Sequence, residues 1–135
     1  PVTMHHGNGT LAYSRIAYSH DMVTLYSAAD VVVCRAGAST IAEVSTVGVC
    51  AVVVPWKDAA ENHQLVNAQW LTNRGGAVLL EENALTAHEF SQLVTELLRD
   101  DDRRSAIASR ARDLGAVHRQ SSIASVIEGA AKAQL

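Results

Sequence analysis

Apolar residues in this chain fall into two kinds of pattern: short unbroken runs, and stretches with helical spacing between them. "VVVC" (31–34) and "VCAVVVP" (49–55) are unbroken runs, and they suit strands buried on both faces. Pro55 stops the second run. Between them "GASTIAEVSTVG" (37–48) predicts a helix ending at Gly48. Upstream, "HDMVTLYSAAD" (20–30) places Met22, Val23, Leu25, Tyr26 and Ala29 at helical intervals, with Asp21 as N-cap. Downstream, the loop "WKDAAEN" leads into the helix "HQLVNAQWLTNRGG" (63–76), closed by Gly75 and Gly76, and then the strand "AVLLE" (77–81). The helix in "ALTAHEFSQLVTELLRD" (84–100) opens at Thr86, with Glu89 at capping-box spacing. "DDRRSAIASRARDLG" (101–115) and "SSIASVIEGAAKAQL" (121–135) complete a helical tail. At the other end "PVTMHH" (1–6) reads as a first strand, "GNGT" (7–10) as a turn and "SRIAYS" (14–19) as a candidate second short strand.

Strand and helix alternate over short links, which is the pattern of βαβ units. The expected fold is α/β, a Rossmann-like parallel sheet flanked by helices, in one domain over residues 1–135. Such sheets bind ligands beyond the C-terminal ends of their strands. Three loops qualify: "HHGNG" (5–9), "CRAGAST" (34–40) and "PWKDAAENHQ" (55–64).

Composition sharpens this picture. The chain has 135 residues, enough for one core that removes roughly two-thirds of the unfolded surface from water. It is 48% hydrophobic and only 4% aromatic, so the core is built from Val, Ala, Leu and Ile. A net charge of −3 with scattered basic residues argues against nucleic-acid binding and against a polybasic membrane patch. No apolar run reaches the roughly 20 residues of a bilayer span, and the start lacks the sections of a signal peptide. Cys34 and Cys50 lie inside strand-like runs and read as reduced core thiols of a cytosolic protein, not as a staple.

The chemistry concentrates in "RAGASTIAE" (35–43). Gly37 lets backbone approach a ligand closely. The amides of Ala38, Ser39 and Thr40 lie at a helix start, where partial positive charge favours phosphate, and two hydroxyls add donors. Glu43, one turn further in, has two readings: it accepts bonds from sugar hydroxyls, or it closes a capping box with Thr40. The stretch matches neither a P-loop nor G-x-G-x-x-G. In "ENHQLVNAQ" (61–69), His63, Gln64 and Asn67 open a helix on the same rim. Amide side chains both donate and accept, which suits sugar hydroxyls; alternatively Asn62 caps the helix and the others are solvated. His5 and His6 alternate faces of one strand and so do not chelate a common ion, and His63 has no ligand partner at metal spacing. Tyr18 stacks on a base or packs; Trp56 and Trp70 read as rim or core; "RDDDRRS" (99–105) reads as a solvated helix junction. No nucleophile elbow or acid–base carboxylate pair is present, so no catalytic residue, cofactor or metal is expected.

Together, "SAADVVVCRAGASTIAEVSTVGVCAVVVPW" and "HQLVNAQWLTNRGGAVLLEE" resemble the C-terminal, donor-binding half of the MurG family of N-acetylglucosaminyltransferases, well over residues 18 to 82 and loosely over the tail. The resemblance implies the second half of a two-Rossmann-domain (GT-B) enzyme that makes lipid II from lipid I for peptidoglycan, at the cytoplasmic face of the bacterial plasma membrane. It implies UDP-N-acetylglucosamine as ligand, with Glu43 on the ribose, the helix start at Ala38, Ser39 and Thr40 on the diphosphate and Arg35 nearby. Gln64 and Asn67 would hold the sugar, with His63 where the family usually has another glutamine, and Tyr18 would lie against the uracil. Nothing here matches the family's opening strand and Gly-rich "GGSQG"-type loop, and the loop before His63 is one residue longer than in some members. The family's acceptor domain, with its membrane-facing patch and presumed base, would have to supply lipid I binding, so this chain alone is expected to be inactive. A UDP-N-acetylglucosamine epimerase-like domain and a non-catalytic nucleotide-sugar-binding subunit with a partner chain remain alternatives.

Overall fold

A computed structural model describes residues 2–6, 9–84, 86–120 and 122–132. Strands β1 (Val2–His6) and β2 (Gly9–Tyr13) form an antiparallel hairpin, paired from Val2 with Tyr13 to His6 with Gly9. Helix α1 (Met22–Ser27) follows, then β3 (Val32–Cys34), α2 (Ala38–Val47) and β4 (Ala51–Val53). A 3₁₀ turn (Ala60–Asn62) leads into α3 (His63–Thr72), and β5 (Val78–Leu79) is followed by a second 3₁₀ turn (Glu82–Ala84). Helices α4 (Ala87–Arg99), α5 (Asp101–Leu114), α6 (Ala116–Arg119) and α7 (Ser122–Lys132) form the tail.

The predicted α/β architecture is present: β3, β4 and β5 lie side by side, all parallel, with the crossovers carried by α2 and α3. The first strand behaves differently from expectation. β1 pairs with β2 in a separate two-stranded sheet and is not a strand of the parallel sheet, so the expectation that it ends on that sheet's rim is not met. Residues 14–19 form no strand; the second strand lies earlier, at Gly9–Tyr13, where it can zip directly onto β1. Gly7 and Asn8, and the side chains of His5 and His6, lie outside the described residues.

The core sits on both faces of the parallel sheet. Val44, Ala51, Val53, Ala68, Leu71 and Ala111 pack on one face, and Cys50, Val52, Val54 and Leu97 on the other. β4 is buried throughout, as its unbroken apolar run predicts. Asp21 caps α1 by accepting the amide of Thr24 at 3.0 Å, and Thr86 and Glu89 form the complete capping box of α4. Gly48 ends α2 at φ 76°, a conformation that excludes most side chains. The exposed carbonyls at this end of α2 are met by cations: Arg119 donates to Thr46 O at 3.0 Å and Arg112 to Val47 O at 3.2 Å. The 99–105 junction is more built than a solvated turn. Asp100 accepts from the Arg103 amide at 2.8 Å to start α5. Arg104, mostly buried, donates to Leu97 O and Leu98 O to finish α4.

Close approach of α5 to α2 depends on Gly115, where a Cβ would lie 2.1 Å from the Ser45 carbonyl oxygen. Gly115→Ala is therefore expected to destabilise the fold by about 3 kcal/mol or more. Gly129→Ala in α7, with nothing within 4 Å of the added carbon, is expected to stabilise it by about 0.5–1 kcal/mol. Urea unfolding of both variants checks the pair. The thiols supply a pH test. Burial pushes Cys34 up to about 11, whereas an unfolded thiol titrates near ~8.5. The folded state keeps the proton over this window and the unfolded state releases it. Stability is thus expected to hold below that window and to fall as pH rises through it, a slope that Cys34→Ala lessens.

Candidate functional site

The C-terminal ends of β3, β4 and β5 open onto one rim, where their loops are stitched together. Val54 N donates to Cys34 O at 2.8 Å, the last main-chain bond between the first two strands. Beyond it the strands part. The Gln64 side-chain oxygen, from the first turn of α3, sits between them and accepts from Ala36 N at 3.3 Å and Trp56 N at 3.0 Å. Asn67, three residues on and on the same helix face, donates through Nδ2 to Ala36 O at 3.1 Å. Both amides are thus half-committed to main chain, leaving Gln64 Nε2 as a donor and Asn67 Oδ1 as an acceptor. His63 donates from Nδ1 to Ala60 O at 2.6 Å, since a carbonyl can only accept; the ring is exposed and Nε2 is its remaining polar atom. Asn62 holds the N-cap position of α3, yet its side chain makes no capping bond because the residue is left-handed, at φ 54°.

Arg35 reaches across the rim. It donates to Glu82 Oε1 at 2.9 Å and to Val54 O and Pro55 O at 3.4 Å each. The other Glu82 oxygen accepts from Lys57 N at 3.1 Å. The bond from Arg35, and then that from Lys57, hold the Glu82 carboxyl below the usual carboxylate range. Arg35 is therefore half-exposed and already paired.

α2 starts at Ala38 with Gly37 as N-cap and no side-chain cap, so the amides of Ala38, Ser39 and Thr40 point outward from the helix end. The capping-box reading of Thr40 and Glu43 fails on register. A capping box needs its Ser or Thr at the N-cap, and Thr40 is already the third helical residue. Glu43 instead accepts from the Tyr26 hydroxyl at 3.2 Å. Burial, and then the charge of Glu43, push the Tyr26 phenol up, so it stays a donor. Ser39 and Glu43 are four apart and share a helix face, both exposed. Glu43 borders a cavity of about 500 Å³ between α1 and α2, whose lining includes Tyr18, His20, Met22, Tyr26 and Thr46. Tyr18 is 74% exposed and stands edge-on to His20, ring centres 4.7 Å apart.

The rim amides lie at the start of α2, and the cavity lies along its side from Ala42 to Val47. A model of the glycosyltransferase family 28 C-terminal domain matches residues 1–127. The chain belongs to glycosyltransferase family 28. It is 39% identical over 124 residues to the UDP-N-acetylglucosamine--N-acetylmuramyl-(pentapeptide) pyrophosphoryl-undecaprenol N-acetylglucosamine transferase of Nitratidesulfovibrio vulgaris (strain DP4), covering 92% of this chain and 32% of that one. A protein of the same name from Xanthomonas campestris pv. campestris (strain B100) is 44% identical over 107 residues, 79% of this chain and 25% of its own length. The crystal structure of Acinetobacter baumannii MurG matches with TM-score 0.67 at 38% identity, covering 73% of this chain and 28% of that one. The chain spans about a third of the length of the first of these relatives.

In this family 28 domain the structure brings Gly37, Ala38, Ser39, Thr40, Gln64 and Asn67 to one rim, with Arg35 bracing its far side and Glu43 and Tyr18 on the adjoining cavity. Sequence reasoning missed Tyr26 as the partner of Glu43 and Glu82 as the partner of Arg35. Tyr26 carried only a helical-core signal, and Glu82 lies 47 residues from Arg35 with no local pattern linking them. Among the described residues no cluster of three or more His, Cys, Asp or Glu stands at metal-binding geometry, and no helix is long and apolar enough to cross a membrane.

The Tyr26–Glu43 bond has its own test. In a double-mutant cycle of Tyr26→Phe and Glu43→Ala, urea unfolding is expected to show a coupling of about 1 kcal/mol, typical of a hydrogen bond to a charged acceptor at a partly exposed site.

Proposed function

We propose that this chain is the donor-binding domain of an inverting N-acetylglucosaminyltransferase and holds UDP-N-acetylglucosamine. The observation that carries the proposal is the uncapped start of α2 with Glu43 on the same helix face as Ser39, beside a cavity of about 500 Å³. In this reading the amides of Ala38, Ser39 and Thr40 take the diphosphate, with Gly37 giving close approach. Glu43 takes the ribose hydroxyls and Tyr18 lies against the uracil. Gln64 Nε2, Asn67 Oδ1 and His63 Nε2 meet hydroxyls of the sugar. Arg35, held by Glu82, keeps the rim in shape and adds positive charge to it. Transfer displaces UDP from the anomeric carbon, and the helix start steadies the charge that grows on the leaving diphosphate.

The names of the relatives support the donor and the acceptor class, an N-acetylmuramyl-pentapeptide on pyrophosphoryl-undecaprenol. On that support the full enzyme converts lipid I to lipid II for peptidoglycan at the cytoplasmic membrane face. Lipid I binding and membrane contact fall to the part of the relatives that this chain does not align with, and the chain by itself turns over no lipid I.

Calorimetric titration with UDP tests the site. Wild type is expected to bind, and Glu43→Ala to bind at least about tenfold more weakly at unchanged helix content, the loss of roughly one charged hydrogen-bond pair. The 2′,3′-dideoxy analogue of UDP is expected to lose affinity for wild type and to lose none further on Glu43→Ala. Equal binding of UDP by both proteins overturns the ribose assignment.

A further inference from the structure

Parallel strands exchange main-chain bonds only while they run together. β3 and β4 do so through Val32 N to Cys50 O at 2.9 Å and Val54 N to Cys34 O at 2.8 Å. The next two amides, Ala36 N and Trp56 N, belong to chains that diverge toward different helices. Ala36 is fully buried, so an amide left there without a partner carries a desolvation cost. A single oxygen, Gln64 Oε1, accepts from both. Asn67 holds the following peptide through the Ala36 carbonyl, one residue before the N-cap of α2. The neighbours dictate the orientation of each side-chain amide: two N–H groups demand an oxygen at Gln64, and a carbonyl demands the NH₂ of Asn67.

We propose that Gln64 is a positioning residue: its oxygen replaces the missing rung between β3 and β4 and thereby fixes the loop that presents the anion-binding start of α2. The ligand part of this inference rests on the donor-binding function proposed above. The role differs from sugar contact, which uses the other atom of the same amide, Nε2. A residue that only reads the N-acetylglucosamine has no effect on the binding of UDP, which lacks that group.

Residue-resolved amide exchange and UDP titration of the chain test the proposal. In wild type the Ala36 and Trp56 amides are expected to exchange slowly. Gln64→Met, of similar length and without an acceptor oxygen, is expected to speed both by at least about tenfold together and to weaken UDP by a similar factor. Gln64→Glu restores the acceptor and is expected to return both amides to slow exchange. Unchanged exchange at the two amides in Gln64→Met overturns the clamp, and faster exchange with unchanged UDP affinity overturns its positioning role. Should Gln64→Met lose helix content, Gln64→Glu decides by itself: retained protection supports the clamp and lost protection overturns it. Absence of UDP binding by wild type overturns the functional reading and with it the positioning role, while the exchange rates still decide the clamp.

Discussion

Two neighbouring strands that end together must separate before each can turn into its own helix, and the main-chain groups exposed by the separation have to be satisfied. This constraint organises the rim of the domain. Here it is met by side chains from a third element: α3 delivers Gln64 and Asn67 into the gap between β3 and β4. Arg35 and Glu82 close the opposite side by joining the end of β3 to the turn after β5. The crevice at the strand ends is therefore braced by amides and one ion pair, and the start of α2 is aimed by the same contacts that satisfy the fold.

The other end of α2 is fixed by different means. Gly48 leaves the helix in the left-handed region, Gly115 lets α5 come within main-chain contact of Ser45, and two arginines from the tail cover the last carbonyls of α2. A helix held at its C-terminal end by cations and left uncapped at its N-terminal end has its macrodipole compensated on one side only. The positive end remains available on the rim.

Elements built from local pattern were legible in the sequence. The strands β3 and β4, the capping box at Thr86 and Glu89, the Asp21 cap and the Gly48 stop all stand where periodicity and cap chemistry place them, but only β4 is buried on both faces; Val33 of β3 is 45% exposed. The failures have one cause, pairing at a distance. "PVTMHH" has the composition of a sheet strand, but which partner such a strand takes depends on contacts no local pattern carries, and Val2–His6 pairs with Gly9–Tyr13. The T-x-x-E spacing at Thr40 is a valid capping box in isolation, yet the helix begins two residues earlier, at Ala38, and Glu43 turns to Tyr26. Gln64 and Asn67 were legible as rim amides. That one end of each serves the main chain was not, because the partners lie 28 and 31 residues away.

The bond from His63 to the Ala60 carbonyl has a consequence for polarity. With its inner proton given to the backbone, the neutral imidazole shows the rim a lone pair. An amide at the same place offers both a donor and an acceptor and chooses between them by rotation; the ring, pinned through its inner nitrogen, cannot turn to exchange them.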